Sequence, residues 1–89
     1  MHEARLCLAL LGLAEEHLAR EGGGRITRLR VEVGSLSGVS PIALRGAFPI
    51  CAAGTAAEGA ELEIVEMPGR ELRLRDMEVT DDVRNLRMR

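Results

Sequence analysis

Apolar residues recur three and four positions apart between residues 2 and 21: Leu6, Leu10 and Leu13 run beside Cys7, Leu11, Ala14 and Leu18. That spacing predicts an amphipathic helix, and Gly22-Gly23-Gly24 ends it. From 25 to 34 the period changes to two. Leu29, Val31 and Val33 alternate with Arg28, Arg30 and Glu32, the signature of a strand with one buried face. A loop follows at Gly34-Ser35-Leu36-Ser37-Gly38. Ser40-Pro41 then offers an N-cap and a first-turn proline for a second helix over 41–52. Leu44, Ala47, Phe48 and Cys51 fall on one side of it. Gly46 and Pro49 weaken it, since an interior proline costs about 3 kcal/mol in a regular helix. A kink or a change of helix character near Gly46 is therefore expected.

Residues 61–67 and 71–79 read as two further strands with an internal phase change. Leu62 and Ile64 give way to Val65 and Met67, and Leu72 and Leu74 to Met77 and Val79. A β-bulge in each strand, or burial on both faces, would account for this. Pro68-Gly69 joins them. A Pro-Gly pair favours a type II turn, whose twist suits a tight hairpin poorly, so a wider loop is expected. The tail, 80–89, has Asp81 or Asp82 as a cap before Val83 and Leu86, for a short helical turn or a frayed end.

The order α-β-α-β-β describes an α+β (α/β two-layer) domain with two helices packed on a small three-stranded sheet. The first two strands, joined through a helix, are expected to be parallel and the last two antiparallel. One domain spans 1–79, with 80–89 as its tail.

Phe48 is the only aromatic residue, so the core must be aliphatic. Twelve basic and fourteen acidic residues interleave to a net charge of -2, which gives nucleic acid no cationic stripe to bind. No run is long enough to span a membrane. Residues 6–14 are apolar, but Glu3 precedes them and Glu15-Glu16 follow, so no signal peptide is read and the cytoplasm is the expected compartment. Cys7 and Cys51 sit among apolar residues as small hydrophobes. A zinc site from Cys7, Cys51, His2 and His17 would lack a close ligand pair to nucleate it. His17 is read as a packing or boundary histidine. No nucleophile–base pair or phosphate-cradling motif is legible, and Gly22-Gly23-Gly24 lies between a helix and a strand, so an enzyme is not expected.

The candidate chemistry lies at Met1-His2-Glu3. A histidine at position 2 disfavours removal of the initiator. The α-amine, the His2 amide nitrogen and the His2 imidazole can then wrap one metal ion in fused chelate rings. Such a tetragonal nitrogen set suits Ni(II) or Cu(II), with the Glu3 carboxylate as a further ligand.

Four segments in order carry a resemblance: Met1-His2-Glu3; Val31 to Pro41; Gly54 to Ile64; and Glu71 to Val79. Together they resemble the HypA/HybF family of nickel-incorporation proteins. The resemblance implies a nickel metallochaperone for nickel–iron hydrogenase, sometimes urease, that binds Ni(II) through Met1, His2 and Glu3. It also implies a HypB-type GTPase and a hydrogenase large subunit as partners. Family members carry a zinc-bearing module with two Cys-x-x-Cys pairs between the last two strands. Here Met67-Pro68-Gly69-Arg70 bridges that position and no Cys-x-x-Cys occurs, so no zinc is expected. The alternative is a metal-independent interaction module that docks on a maturation GTPase or hydrogenase subunit. The oligomeric state stays open, and an exposed strand edge would permit a homodimer.

Overall fold

The computed structural model describes residues 2–80 and 84–88, at residue 84 the backbone alone. Its elements are α1 (His2–Arg20), β1 (Ile26–Gly34), α2 (Pro41–Ala52), β2 (Glu61–Met67), β3 (Leu72–Val79) and β4 (Arg84–Arg87). The strands form one mixed sheet in the order β2-β1-β3-β4, with the helices packed on one face. β1 runs parallel to β2 and antiparallel to β3, and β3 is antiparallel to β4.

The core follows the two periodicities. Cys7, Leu10, Leu11, Ala14 and Leu18 line the buried stripe of α1. Leu44, Ala47, Phe48 and Ala52 do so on α2. Beneath them lie Ile26, Leu29, Val31 and Val33 of β1 and Leu74, Met77 and Val79 of β3. Leu13, expected on the α1 stripe, sits on its flank and is 50% exposed. α1 ends as the glycine run requires. Gly23, at φ 79°, donates its N–H to the Leu18 carbonyl at 2.9 Å, the left-handed closure that glycine adopts without a Cβ penalty.

The other sheet face is a lattice of opposite charges. Arg28 reaches Glu61 at 3.0 Å, Glu78 at 3.5 Å and Glu63 at 3.8 Å. Arg30 reaches Asp76 at 3.2 Å, and Arg73 and Arg75 flank Glu32 at 3.5 and 3.8 Å. The hydrogen bond to Glu61, then the neighbouring carboxylates, raise the Arg28 pKa. Cross-strand pairs of this kind help to set register.

The structure departs from the three-stranded expectation at the tail. Residues 84–87 form an edge strand on β3, Met77 opposite Leu86 and Glu78 opposite Asn85, rather than a helical turn. Leu86 and Met88 pack against the core, a gain that pairing along an open β3 edge secures and an isolated turn would not. The cap expected at Asp81 or Asp82, and Val83, lie outside the described residues.

The two phase changes have different causes. In β3, Arg30 opposes Asp76 but Val31 opposes Leu74, so Arg75 is the extra residue of a bulge. That bulge returns Met77 and Val79 to the face that Leu72 and Leu74 occupy. β2 keeps one register with β1 throughout, and residues 62–65 are partly covered on both faces. Nor do β2 and β3 pair with each other, because β1 lies between them. The wide Pro68-Gly69 loop therefore straddles the end of β1. Gly34 donates to the Glu71 carbonyl, Ser35 to Met67 and Leu36 to Gly69, each at 2.7 Å. A Cβ on Gly34 would collide with the Gly69 carbonyl oxygen and stand 2.7 Å from its carbon.

α2 is continuous α-helix through Gly46 and Pro49, without the expected change of character. Pro49 lies on the exposed side with Arg45, whose carbonyl loses its usual donor. Water can serve that carbonyl, while Leu44 and Phe48 anchor the opposite side.

Candidate functional site

The first turn of α1 meets the start of α2, and the local sequence explains both ends. Ser40 has extended backbone (φ -84°, ψ 115°), and its Oγ accepts the Ala43 N–H at 3.2 Å. Pro41 occupies the first turn, where a missing N–H costs nothing. The Ser40 N–H points outward from this cap and donates to Glu3 Oε2 at 3.2 Å. The carboxylate thus sits at the positive end of the α2 dipole. The same oxygen is 3.7 Å from His2 Nδ1. The Ser40 hydrogen bond is the main reason the Glu3 carboxyl titrates below its ordinary value.

Of the sequence-predicted ligands, His2 and Glu3 are thus together and Met1 lies outside the described residues. The His2 side chain is 64% exposed and that of Glu3 20% exposed. One ligand candidate is accessible and the other is held. His2 is also the first residue of α1. Its amide N–H belongs to the first turn, where no intrahelical acceptor exists. A metal can therefore replace that proton without breaking the helix ladder. This donor set fits a small nitrogen-seeking cation: an accessible imidazole, an amide outside the ladder, and a nearby carboxylate.

Among the described residues no group of three or more His, Cys, Asp or Glu is placed to hold a metal. Cys7, Cys51, His2 and His17 accordingly do not converge as a zinc centre. His17 is half-buried beside Glu21, Leu86 and Met88, at the far end of α1. Cys51 donates to the Ala4 carbonyl at 3.7 Å, another tie between α2 and the first turn of α1. The part played by Ser40 was missed. The Ser-Pro cap was legible, but nothing local linked it to a carboxylate 37 residues earlier.

The family model described as "HypA: Hydrogenase/urease nickel incorporation, metallochaperone, hypA" matches residues 1–79. This chain belongs to the HypA family. It is 43% identical over 72 residues to the hydrogenase maturation factor HypA of Paracoccus denitrificans (strain Pd 1222), covering 81% of this chain and 64% of that protein. Its identity to the Deinococcus radiodurans HypA is 48% over 69 residues, covering 78% of this chain and 58% of that one. The chain therefore spans less than two thirds of the length of these relatives. In three dimensions it is similar to the solution structure of the Ni metallochaperone HypA from Helicobacter pylori. The TM-score is 0.68 at 21% identity, over 98% of this chain and 70% of that one. Such a likeness shows the two-layer fold with its helices on one sheet face. No described helix is long and apolar enough to cross a membrane.

Proposed function

We propose that this HypA-family chain binds Ni(II) at Met1, His2 and Glu3 and passes it on during maturation of a nickel–iron hydrogenase. Nickel is cargo in this reading. The observation that carries it is the position of His2: an exposed imidazole on a residue whose own amide lies outside the helix ladder, at the start of a family match covering residues 1–79. In this reading the Met1 amine, the His2 amide nitrogen and the imidazole supply three nitrogen donors in fused rings, which requires Met1 to carry a free amine. Glu3 holds the first turn against Ser40 and offers its carboxylate as a further ligand.

The amine and the amide must shed protons, and the imidazole must offer its unprotonated nitrogen, for the metal to bind. Uptake therefore releases protons, and affinity falls as pH falls. Exposed ligands at a helix start suit transfer by ligand exchange. A HypB-type GTPase and the hydrogenase large subunit are the proposed partners, and the cytoplasm the proposed compartment. The chain acts as a carrier, with no catalytic residues and no zinc-bearing module.

Native mass spectrometry of the untagged chain, with and without nickel, tests this beside a chain extended by Gly-Ser before Met1 and beside His2→Ala. One nickel on the untagged chain, lost from both variants, is the expected result. Equal binding by all three, or by none, would remove the site and leave a metal-independent docking domain.

A further inference from the structure

Cys7 and Cys51 come from different helices and border the same core cluster. Cys7 lies on the buried stripe of α1, while Cys51 is half-buried on the last turn of α2 and packs against the same cluster. The Cys51 Sγ donates to the carbonyl of Ala4, which lies one turn before Cys7. In a helix a carbonyl faces the turn three and four residues on, so this contact sets the Cys51 sulfur beside the turn that carries Cys7. Burial, and then Cys51, push the Cys7 thiol up to about 11. Cys7 is thus screened and protonated, while Cys51 keeps partial exposure.

We propose that this pair is a thiol–disulfide exchange site, in which Cys51 attacks a low-molecular-weight disulfide and Cys7 resolves it to an α1–α2 disulfide. Cys51 first loses its proton, and its thiolate attacks one sulfur of the oxidant RSSR. The S–S bond breaks, RS⁻ departs and takes up a proton, and Cys51 carries a mixed disulfide. Cys7 then gives up its proton as its sulfur attacks the Cys51 sulfur, releasing the second RSH. The cysteines lose two electrons and two protons, and one disulfide becomes two thiols.

Two arguments favour this over a soft-metal site. A metal would need both sulfurs as thiolates, and burial penalises forming that charge at Cys7, whereas a disulfide is neutral and apolar. And no third ligand stands nearby among the described residues to share such a metal. The division of labour follows from access, since exchange begins at the thiol a reagent can reach. The bond would close a long loop and so restrict the unfolded chain. It would also tie the α1 turn following His2 and Glu3 covalently to α2.

The test incubates the full chain with a glutathione mixture rich in the oxidised form. Acid quenching, alkylation under denaturing conditions, intact mass and peptide mapping follow. The wild-type chain should become two hydrogen masses lighter, resist alkylation, and yield one peptide pair linking Cys7 to Cys51. Cys7→Ala should stop with one glutathione on Cys51, and Cys51→Ala should take up none. His2→Ala should oxidise like the wild type, separating this chemistry from nickel binding. A wild-type chain that keeps both cysteines alkylatable, stops at the mixed disulfide, or links two chains would overturn the proposal. The wild-type map needs no variant, so a poorly folded Cys7→Ala leaves the test standing. The oxidised monomer should also unfold at higher urea concentration than the reduced one, and an unchanged midpoint would count against an α1–α2 bond.

Discussion

At Cys7, Leu11, Ala14 and Leu18, α1 is held by aliphatic packing, whereas at Glu3 the same helix is held by one carboxylate on one backbone N–H. The first arrangement removes apolar area from water, and each large side chain fully buried contributes about 1.5–3 kcal/mol. The second contributes little, because solvent competes for both partners. The contrast divides the labour of the helix. Its packed turns hold the fold, and its first turn leaves His2 exposed, as the proposed nickel site requires. Substitutions should therefore separate stability from metal binding.

The largest expected loss comes from the packed region. Leu44→Ala empties a site with no solvent exposure on the helix facing α1, and such truncations cost about 2–5 kcal/mol. Urea unfolding measures it, and a loss under about 1 kcal/mol would mean that α2 is not a core element. Gly34→Ala should follow. A Cβ there strikes the Gly69 backbone, and forcing the loop off the end of β1 should cost about 1–3 kcal/mol by analogy with overpacking. An unchanged unfolding midpoint would show that the loop does not press on β1 as described.

The first turn should behave in the opposite way. His2→Ala is expected to abolish stoichiometric nickel binding, yet shift stability by no more than about 0.5 kcal/mol, as exposed substitutions do. A large loss of stability would break the comparison, because it would make His2 structural. The smallest effect belongs to the Glu3 tether. Its carboxyl titrates below the ordinary 4.5, chiefly through the Ser40 N–H. A lowered folded value means the stabilisation is complete above 4.5 and is lost as pH falls through the lower value. The Ser40 amide resonance should follow that titration in NMR, and Glu3→Ala should remove it. An amide that shifts identically in the variant would assign the effect elsewhere.

Much of this molecule is local and so was legible in its residues. The stripe from Cys7 to Leu18, the alternation from Leu29 to Val33, the Ser40-Pro41 cap and the glycine stop are each set by neighbours within about one or two turns. The Met1-His2-Glu3 chelate is likewise a matter of adjacent atoms, and the proposal for it begins there. The phase changes were visible too, with both candidate causes, but not which cause applied to which strand. Only pairing with β1 assigns a bulge to Arg75 and two-sided cover to residues 62–65.

What tertiary structure alone decided involves partners far apart in the chain. Residues 84–87, in a tail with weak periodicity, became an edge strand because β3 presented unpaired backbone groups beside a core that accepts Leu86 and Met88. Pro49 stayed in a helix because its cost falls on the side that water reaches, a distinction propensity does not contain. The Glu3–Ser40 tether and the contact of Cys51 with the Ala4 carbonyl depend on how α1 lies across α2. Periodicity states which face of a helix is buried. It does not state against what, because that contact is settled by the packing of the whole chain at once.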